Sequence, residues 1–224
     1  MVPKISLFIV FLILLTNSAY AHASVRTDTV SCVNDPSQYS QLSSELQDIV
    51  KGDQDDRQGD PSSINWAVVS PRDLRRRIRV AEIFAQGCFK DAQDYAAAAM
   101  VYQHGDTADH VYQTFIWSKK AVDLGDPKQK WLMGAGLDRY LVRSGQKQLF
   151  ATQGGKDNGD LCWCLEPTEM SFPDAKRTEY VNRNLQQSLD WIKSMNAGQT
   201  SCGEPKYCSH NLKASPAGTV PGFW

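Results

Sequence analysis

Neither sign of charge is in excess in this chain: 24 Lys and Arg stand against 25 Asp and Glu, a formal net charge of −1 over 224 residues. A generic nucleic-acid binder is thereby excluded, because neutralising a run of phosphates needs a basic surplus. Glycine loops of the G-x-G-x-x-G or P-loop type are absent, which excludes the usual nucleotide cradles. There is no C-x-x-C redox motif and no H-E-x-x-H or H-x-H metal signature. Ser118, Ser144 and Thr152 lack the elbow motif that presents a nucleophile. Apolar runs are short. The longest, residues 5–15, falls well below the ~20 residues that cross a bilayer. Apolar residues as a whole are not scarce: at 42% hydrophobic, the chain can fill a core and is no disordered tail.

The short apolar run has a meaning of its own. Lys4 precedes it, and small residues ending in Ala19-Tyr20-Ala21 follow it. A basic start, a brief apolar stretch and an A-x-A site predict a secretory signal peptide over residues 1–21, with a second possible cut after Ala23. The expectation is an exported protein, periplasmic or secreted, with no membrane span after cleavage. All six cysteines, Cys32, Cys88, Cys162, Cys164, Cys202 and Cys208, lie beyond that site. An even count in an exported chain reads as disulfides, with fifteen possible pairings. Cys202 and Cys208 enclose a short loop with Gly203 and Pro205 and could pair with each other. Cys162 and Cys164 flank Trp163 and would point the same way in extended chain, which suggests bridges to two different partners.

The remainder predicts a mainly α fold: antiparallel helical hairpins or a bundle, a short irregular or β segment, and a disulfide-tied C-terminal tail. Residues 22–34 read as an N-terminal extension, 35–198 as the helical domain, and 199–224 as an irregular tail with a loose end. Asp35-Pro36 opens a first helix with Leu42, Leu46, Ile49 and Val50 on one face. Ser70-Pro71-x-Asp73 predicts a second start, with Leu74, Ile78, Ala81 and Phe84 at buried spacing and Gly87 as its stop. Its Arg75-Arg76-Arg77 run and Arg79 read as a solvated face. A third helix runs from Asp91 to Gly105. A fourth covers residues 108–124, with Val111, Phe115 and Val122 in a stripe bordered by Trp117 and Ala121. Asp126-Pro127 opens a fifth that ends at Ser144. Residues 146–173 have no helical period and leave room for a short strand or two. Residues 174–197 read as one last helix with Leu185, Leu189, Ile192 and Met195 on its buried face. Short loops between consecutive helices make residues 91–145 stacked hairpins.

Residues 117–127, WSKKAVDLGDP, resemble one unit of a Sel1-type or tetratricopeptide repeat. Only a weak second copy is visible, at residues 96–105, and a stack needs at least three, so a solenoid is not the expectation. A longer resemblance rests on four motifs in order: Asp53-Gln54-x-x-Arg57, Gln103-His104-x-Asp106, Asp138-Arg139, and Gly145-x-x-Gln148-x-Phe150-x-Thr152-Gln153. This order is similar to a bacterial family carrying only the label domain of unknown function six-six-two-four, over about residues 46–153. The chain departs from it at Phe150, where that family usually has Tyr, and at Ala151, where it usually has Gly. The resemblance implies a fold and a polar cluster, and no reaction.

Two readings fit the cluster. As scaffold, Asp53 or Asp138 pairs with Arg57 or Arg139, while the glutamines Gln54, Gln103, Gln148 and Gln153 satisfy helix ends and loop backbone, with Thr152 a further member of the cluster. As a site, His104 serves as a general base oriented by Asp106 or Asp138, with Arg57 or Arg139 holding an anionic group. His104 and His110 with Asp106 or Asp109 could also approach a metal, but the spacing matches no metal signature, and no metal or cofactor is expected. The expected role is a binding or interaction module for a protein or small ligand, with a hydrolase as the rival. A repeat-type binder would instead expose aromatics such as Tyr112 or Trp117 along a concave groove.

Overall fold

Three Asp-Pro pairs punctuate the chain in one physical way. The side chains of Asp35, Asp60 and Asp126 each accept from the backbone N–H two residues on, and Pro at the next position opens a single 3-10 turn. The first and third of these turns feed directly into α-helices, which therefore start three residues later than the Pro itself. The structure, a computed structural model, describes residues 31–224. The signal peptide expected over residues 1–21, and most of the extension after it, lie outside the described residues.

Among the described residues there are seven α-helices: α1 (Tyr39–Asp55), α2 (Trp66–Ala85), α3 (Ala92–Tyr102), α4 (Ala108–Asp123), α5 (Lys130–Arg143), α6 (Asp174–Val181) and α7 (Leu185–Met195). A two-stranded antiparallel ribbon, β1 (Gly154–Lys156) with β2 (Trp163–Leu165), sits in the segment without helical period, with Gly155 opposite Cys164. The mainly α architecture read from sequence is therefore present. Among the described residues no helix is long and apolar enough to cross a membrane. α3, α4 and α5 pack side by side as consecutive hairpins. The middle helix, α4, buries residues on two sides: Val111 and Phe115, and also Thr114, Trp117 and Ser118. Gly136 lets α5 come close, since a Cβ there would lie 3.1 Å from the Phe115 backbone nitrogen. Trp117 is buried and Tyr112 packs on Tyr140, so the exposed aromatic groove that a repeat-type binder would need is not formed.

α2 departs most from expectation. It begins a turn earlier than Ser70, and Pro71 lies within it. The early turn brings Val69 into the core. Its buried face is Val69, Asp73, Arg77, Val80 and Ile83, while Leu74 and Ile78 are about half exposed. The helix is turned one residue from its apolar stripe because ion pairs fix its orientation against α1. Arg76 meets Asp56 at 2.6 Å, Arg79 meets Glu45 at 2.8 Å, and Asp73 takes Arg57 and Arg76. The arginine run is thus partly an interface, with Arg77 almost fully buried.

The helix expected over residues 174–197 is broken. Asn182 adopts left-handed backbone (φ 55°) after α6, and Asn184 starts α7 with a capping box to Gln187. Ile192 alone of the expected α7 face is fully buried; Met195 is exposed.

The cysteines pair as Cys32–Cys88, Cys162–Cys202 and Cys164–Cys208. The local Cys202–Cys208 pair does not form; the C-x-C cysteines reach two different partners. The two C-terminal bridges draw the tail across the ribbon, and the end is not loose. Lys147 N donates to Lys213 O at 2.8 Å, and Val220 is buried. Phe223 packs on Phe115, Phe150 and Tyr180, while Trp224 stacks edge-on against Phe172 and its Nε1 donates to Ser215 O at 2.8 Å.

Candidate functional site

The turn between α3 and α4 carries His104, and three arginines hold its backbone. Arg139 donates to Gln103 O at 2.7 Å, Arg77 to His104 O at 3.2 Å, and Arg143 to Gly105 O at 2.8 Å and Thr107 O at 3.1 Å. A turn whose carbonyls each accept from a guanidinium (Arg77 buried, Arg139 partly buried, Arg143 exposed) has little freedom to move. Gly105 is required by close approach: a Cβ there would fall 2.2 Å from the His110 Cβ. α4 then starts with a capping box between Thr107 and His110.

His104 is held from behind. Its Nδ1 lies 3.1 and 3.2 Å from the two carboxylate oxygens of Asp53, which is fully buried on the last turn of α1. Asp53 also accepts from Gln54 Nε2 at 2.8 Å and from Arg57 Nη1 at 3.2 Å. With Nδ1 engaged, Nε2 is left without a hydrogen-bond partner among the described residues, on a side chain that is 23% exposed. In front of it opens a cleft of about 230 Å³ lined by Arg57, Trp66, Ser70, Asp73, Gln103, His104, Gly105, Asp106 and Arg143. Trp66 stands half exposed, with the Arg57 guanidinium 6.0 Å from its ring.

Asp53, Gln54, Arg57, Gln103, His104 and Asp106 therefore gather in or behind this cleft. The other predicted residues form a second, buried group. Asp138 accepts from the N–H groups of Leu149, Phe150 and Thr152 and from the Thr152 hydroxyl, all at 2.8–2.9 Å. Burial pushes its carboxyl above the ordinary carboxylate range, while those four donors pull the other way. Gln148 donates to Gln153 O and Glu166 O and accepts from Gln153 N. Gln153 accepts from Arg139 Nε at 3.2 Å. Arg139 joins the two groups through neutral oxygens.

The expected orienting roles are corrected accordingly. Asp138 is saturated by its own loop and does not touch His104; Asp53 does. Asp106 points outward, 80% exposed at its side chain, and pairs with Arg77 at 2.7 Å. Neither Arg139 nor Asp138 lines the cleft. His110 turns its ring edge to Tyr102 and its Nδ1 toward Thr107 N, so it does not converge with His104. Burial and the nearby Arg77 and Arg143 hold His110 below its ordinary range. Trp66, Ser70, Asp73, Arg77 and Arg143 are the cleft and support residues that the sequence reading missed. Ser70 and Asp73 stand in the sequence only as a helix-start signal and Arg77 only in the arginine run, while Trp66 and Arg143 sit in no motif.

Among the described residues, Asp157, Cys208 and His210 are the group of potential metal donors that lie close together. Cys208 is spent in the bridge to Cys164, which leaves two. His210 instead ties the tail down: its Nδ1 lies 2.8 Å from Glu166 Oε2 and its Nε2 3.9 Å from Asp157. The Glu166 carboxylate raises His210 above its ordinary 6.5. A raised folded value stabilises the fold fully below that ordinary value, and the contribution fades as pH rises through the folded value. The thermal midpoint is expected to fall from about pH 6 to about pH 8.5 more steeply in the wild type than in His210→Ala, measured by circular dichroism. Superimposable pH profiles would mean that the contact contributes nothing.

No family model matches the chain, and no curated protein or solved structure matches it.

Proposed function

We propose that this protein is an exported binding module whose small polar ligand enters the cleft in front of His104. The observation that carries this reading is the Asp53–His104 pair. A fully buried carboxylate fixes the ring through Nδ1 and presents an unpartnered Nε2 to an open recess. Three disulfides favour an oxidising compartment, periplasmic or extracellular. The ordered resemblance to the family of unknown function over residues 46–153 draws on the same residues, since its first two motifs meet at this cleft.

A hydrolase is the second reading, and one geometric point favours it. A His held by a buried Asp is the arrangement that lets Nε2 take a proton from an attacking water. Against it, the cleft carboxylates Asp73 and Asp106 and one of its two arginines, Arg57, are internally paired, and among the described residues no serine or threonine is hydrogen-bonded to His104.

Replacing His104 by Ala separates these roles from scaffolding. Its ring is partly exposed and makes one side-chain bond, so the thermal midpoint is expected to move by less than about 4 °C. Binding of cleft ligands, followed through the His104 ring resonances in the wild type, should weaken at least tenfold in the variant. Loss of hydrolysis of a simple ester panel in the variant would favour the second reading. Ligand binding that leaves the His104 resonances unmoved, or a collapse of folding in His104→Ala, would sink both.

A further inference from the structure

The charges around the turn do not balance. Arg57 is neutralised by Asp53 and Asp73, Arg76 by Asp56 and Asp73, and Arg77 by Asp106. Arg139 and Arg143 have no carboxylate partner among the described residues; their bonds go to the carbonyls of Gln103, Gly105 and Thr107 and to the Gln153 amide oxygen. They are four residues apart on α5, hence on one face, where like charges repel. Two further observations agree. Burial and the neighbouring Arg143 hold Arg139 below its ordinary range, and the positive field of Arg77 and Arg143 also reaches His110. The Arg139 guanidinium is partly buried without a counterion, and Arg143 is an exposed residue whose charge no carboxylate offsets, so a bound anion would balance the excess positive charge on this face. Arg143 is the one of the two that lines the cleft beside His104. The remaining acidic groups of the cleft, Asp73 and Asp106, are already engaged by arginines.

We propose, resting on the cleft reading above, that its ligand carries an oxyanion, a phosphate or carboxylate group, which docks between the Arg143 guanidinium and Nε2 of His104. The recess of about 230 Å³ equals about eight water volumes, room for an oxyanion with a small body attached. Arg143 supplies paired N–H donors suited to a planar or tetrahedral oxyanion. Nε2 of His104, with the ring held through Nδ1 by Asp53, faces it as the second polar contact. The half-exposed Trp66 gives the body of the ligand an apolar wall.

The test uses the full chain with inorganic phosphate, acetate and neutral glycerol, at matched ionic strength. The expected result is saturable binding of phosphate or acetate in the millimolar range, with shifts in the His104 ring and Arg143 side-chain resonances. Affinity should drop at least tenfold in Arg143→Gln and less in Arg143→Lys. Preference for phosphate over acetate assigns a phosphoryl ligand, and the reverse assigns a carboxylate. Should Arg143→Gln fail to fold, the wild-type resonance shifts decide alone. The proposal is overturned if neither anion saturates, if the shifts lie elsewhere, or if Arg143→Gln binds as well as the wild type. Glycerol saturating the cleft while both anions fail would also overturn it and yet leave the binding-module reading standing.

Discussion

Asp138→Ala is expected to lower stability by about 3 kcal/mol, a fall of roughly 6 to 12 °C in thermal midpoint for a chain of this size. Asp138 is fully buried, and its two oxygens accept from three backbone N–H groups and one hydroxyl of the loop after α5. Alanine leaves those donors buried and unpaired, each worth about 1–3 kcal/mol, while removing the desolvation cost of the carboxylate offsets part of the loss. The loop has little in reserve. Ala151 sits in left-handed backbone at φ 59° with its methyl buried, a conformation that disfavours any side chain, so the bonds around it hold strained chain in place. Asp138→Asn keeps one acceptor oxygen but turns an amide toward donors, and should recover only part of the loss. Thermal melts of both variants decide the matter. An Asp138→Ala midpoint within about 2 °C of wild type would show that the loop is fixed by other contacts.

The second large effect concerns the two bridges that tie the tail. Cys162–Cys202 and Cys164–Cys208 close loops of 40 and 44 residues, and they cross in sequence. Each alone would constrain the unfolded chain by about 4 kcal/mol on a loop-entropy basis. Once one is closed, the other spans only the short arcs between residues 162 and 164 and between 202 and 208. Its added contribution then falls to about 2.5 kcal/mol on the same basis. Replacing either pair by alanine should therefore cost about 2.5 kcal/mol, and replacing both about 6.5 kcal/mol, more than twice the single loss. Denaturant unfolding of the three variants reads this directly. Strictly additive single and double losses would refute the shared-loop account. The double variant should also release the tail, so that Trp224 fluorescence reports unpacking from Phe172 before global unfolding.

Where local chemistry decides structure, the sequence was a sufficient guide. The Asp-Pro starts, the Asp91 cap and the glycine stops act within a few residues, and the helices stand where those signals put them, to within a turn. Of the two exceptions, the first has a long-range cause and the second a local one. α2 hides Asp73 and Arg77 and exposes Leu74 and Ile78 because ion pairs to α1 and to the α3–α4 turn outweigh its apolar stripe. The last helix breaks at Asn182, and α7 starts afresh from the Asn184 cap where one uninterrupted apolar face was read. The site followed the same division. The residue types Asp53, Arg57, Gln103 and His104 were marked by short motifs and do converge, whereas Asp138 was paired with the wrong neighbour. A carboxylate in a helix carries no local sign of whether it will meet a histidine or a loop backbone.

What the sequence by itself determined is the helical class, the order of the hairpins and the presence of six cysteines available for bridging, since composition, caps and period are local properties. Which cysteines join, which carboxylate stands behind His104, and that the final Phe223 and Trp224 pack into the body were decided only by the tertiary structure. Those outcomes depend on which distant surfaces exclude water together, and burial, unlike capping, is a property of the assembled chain.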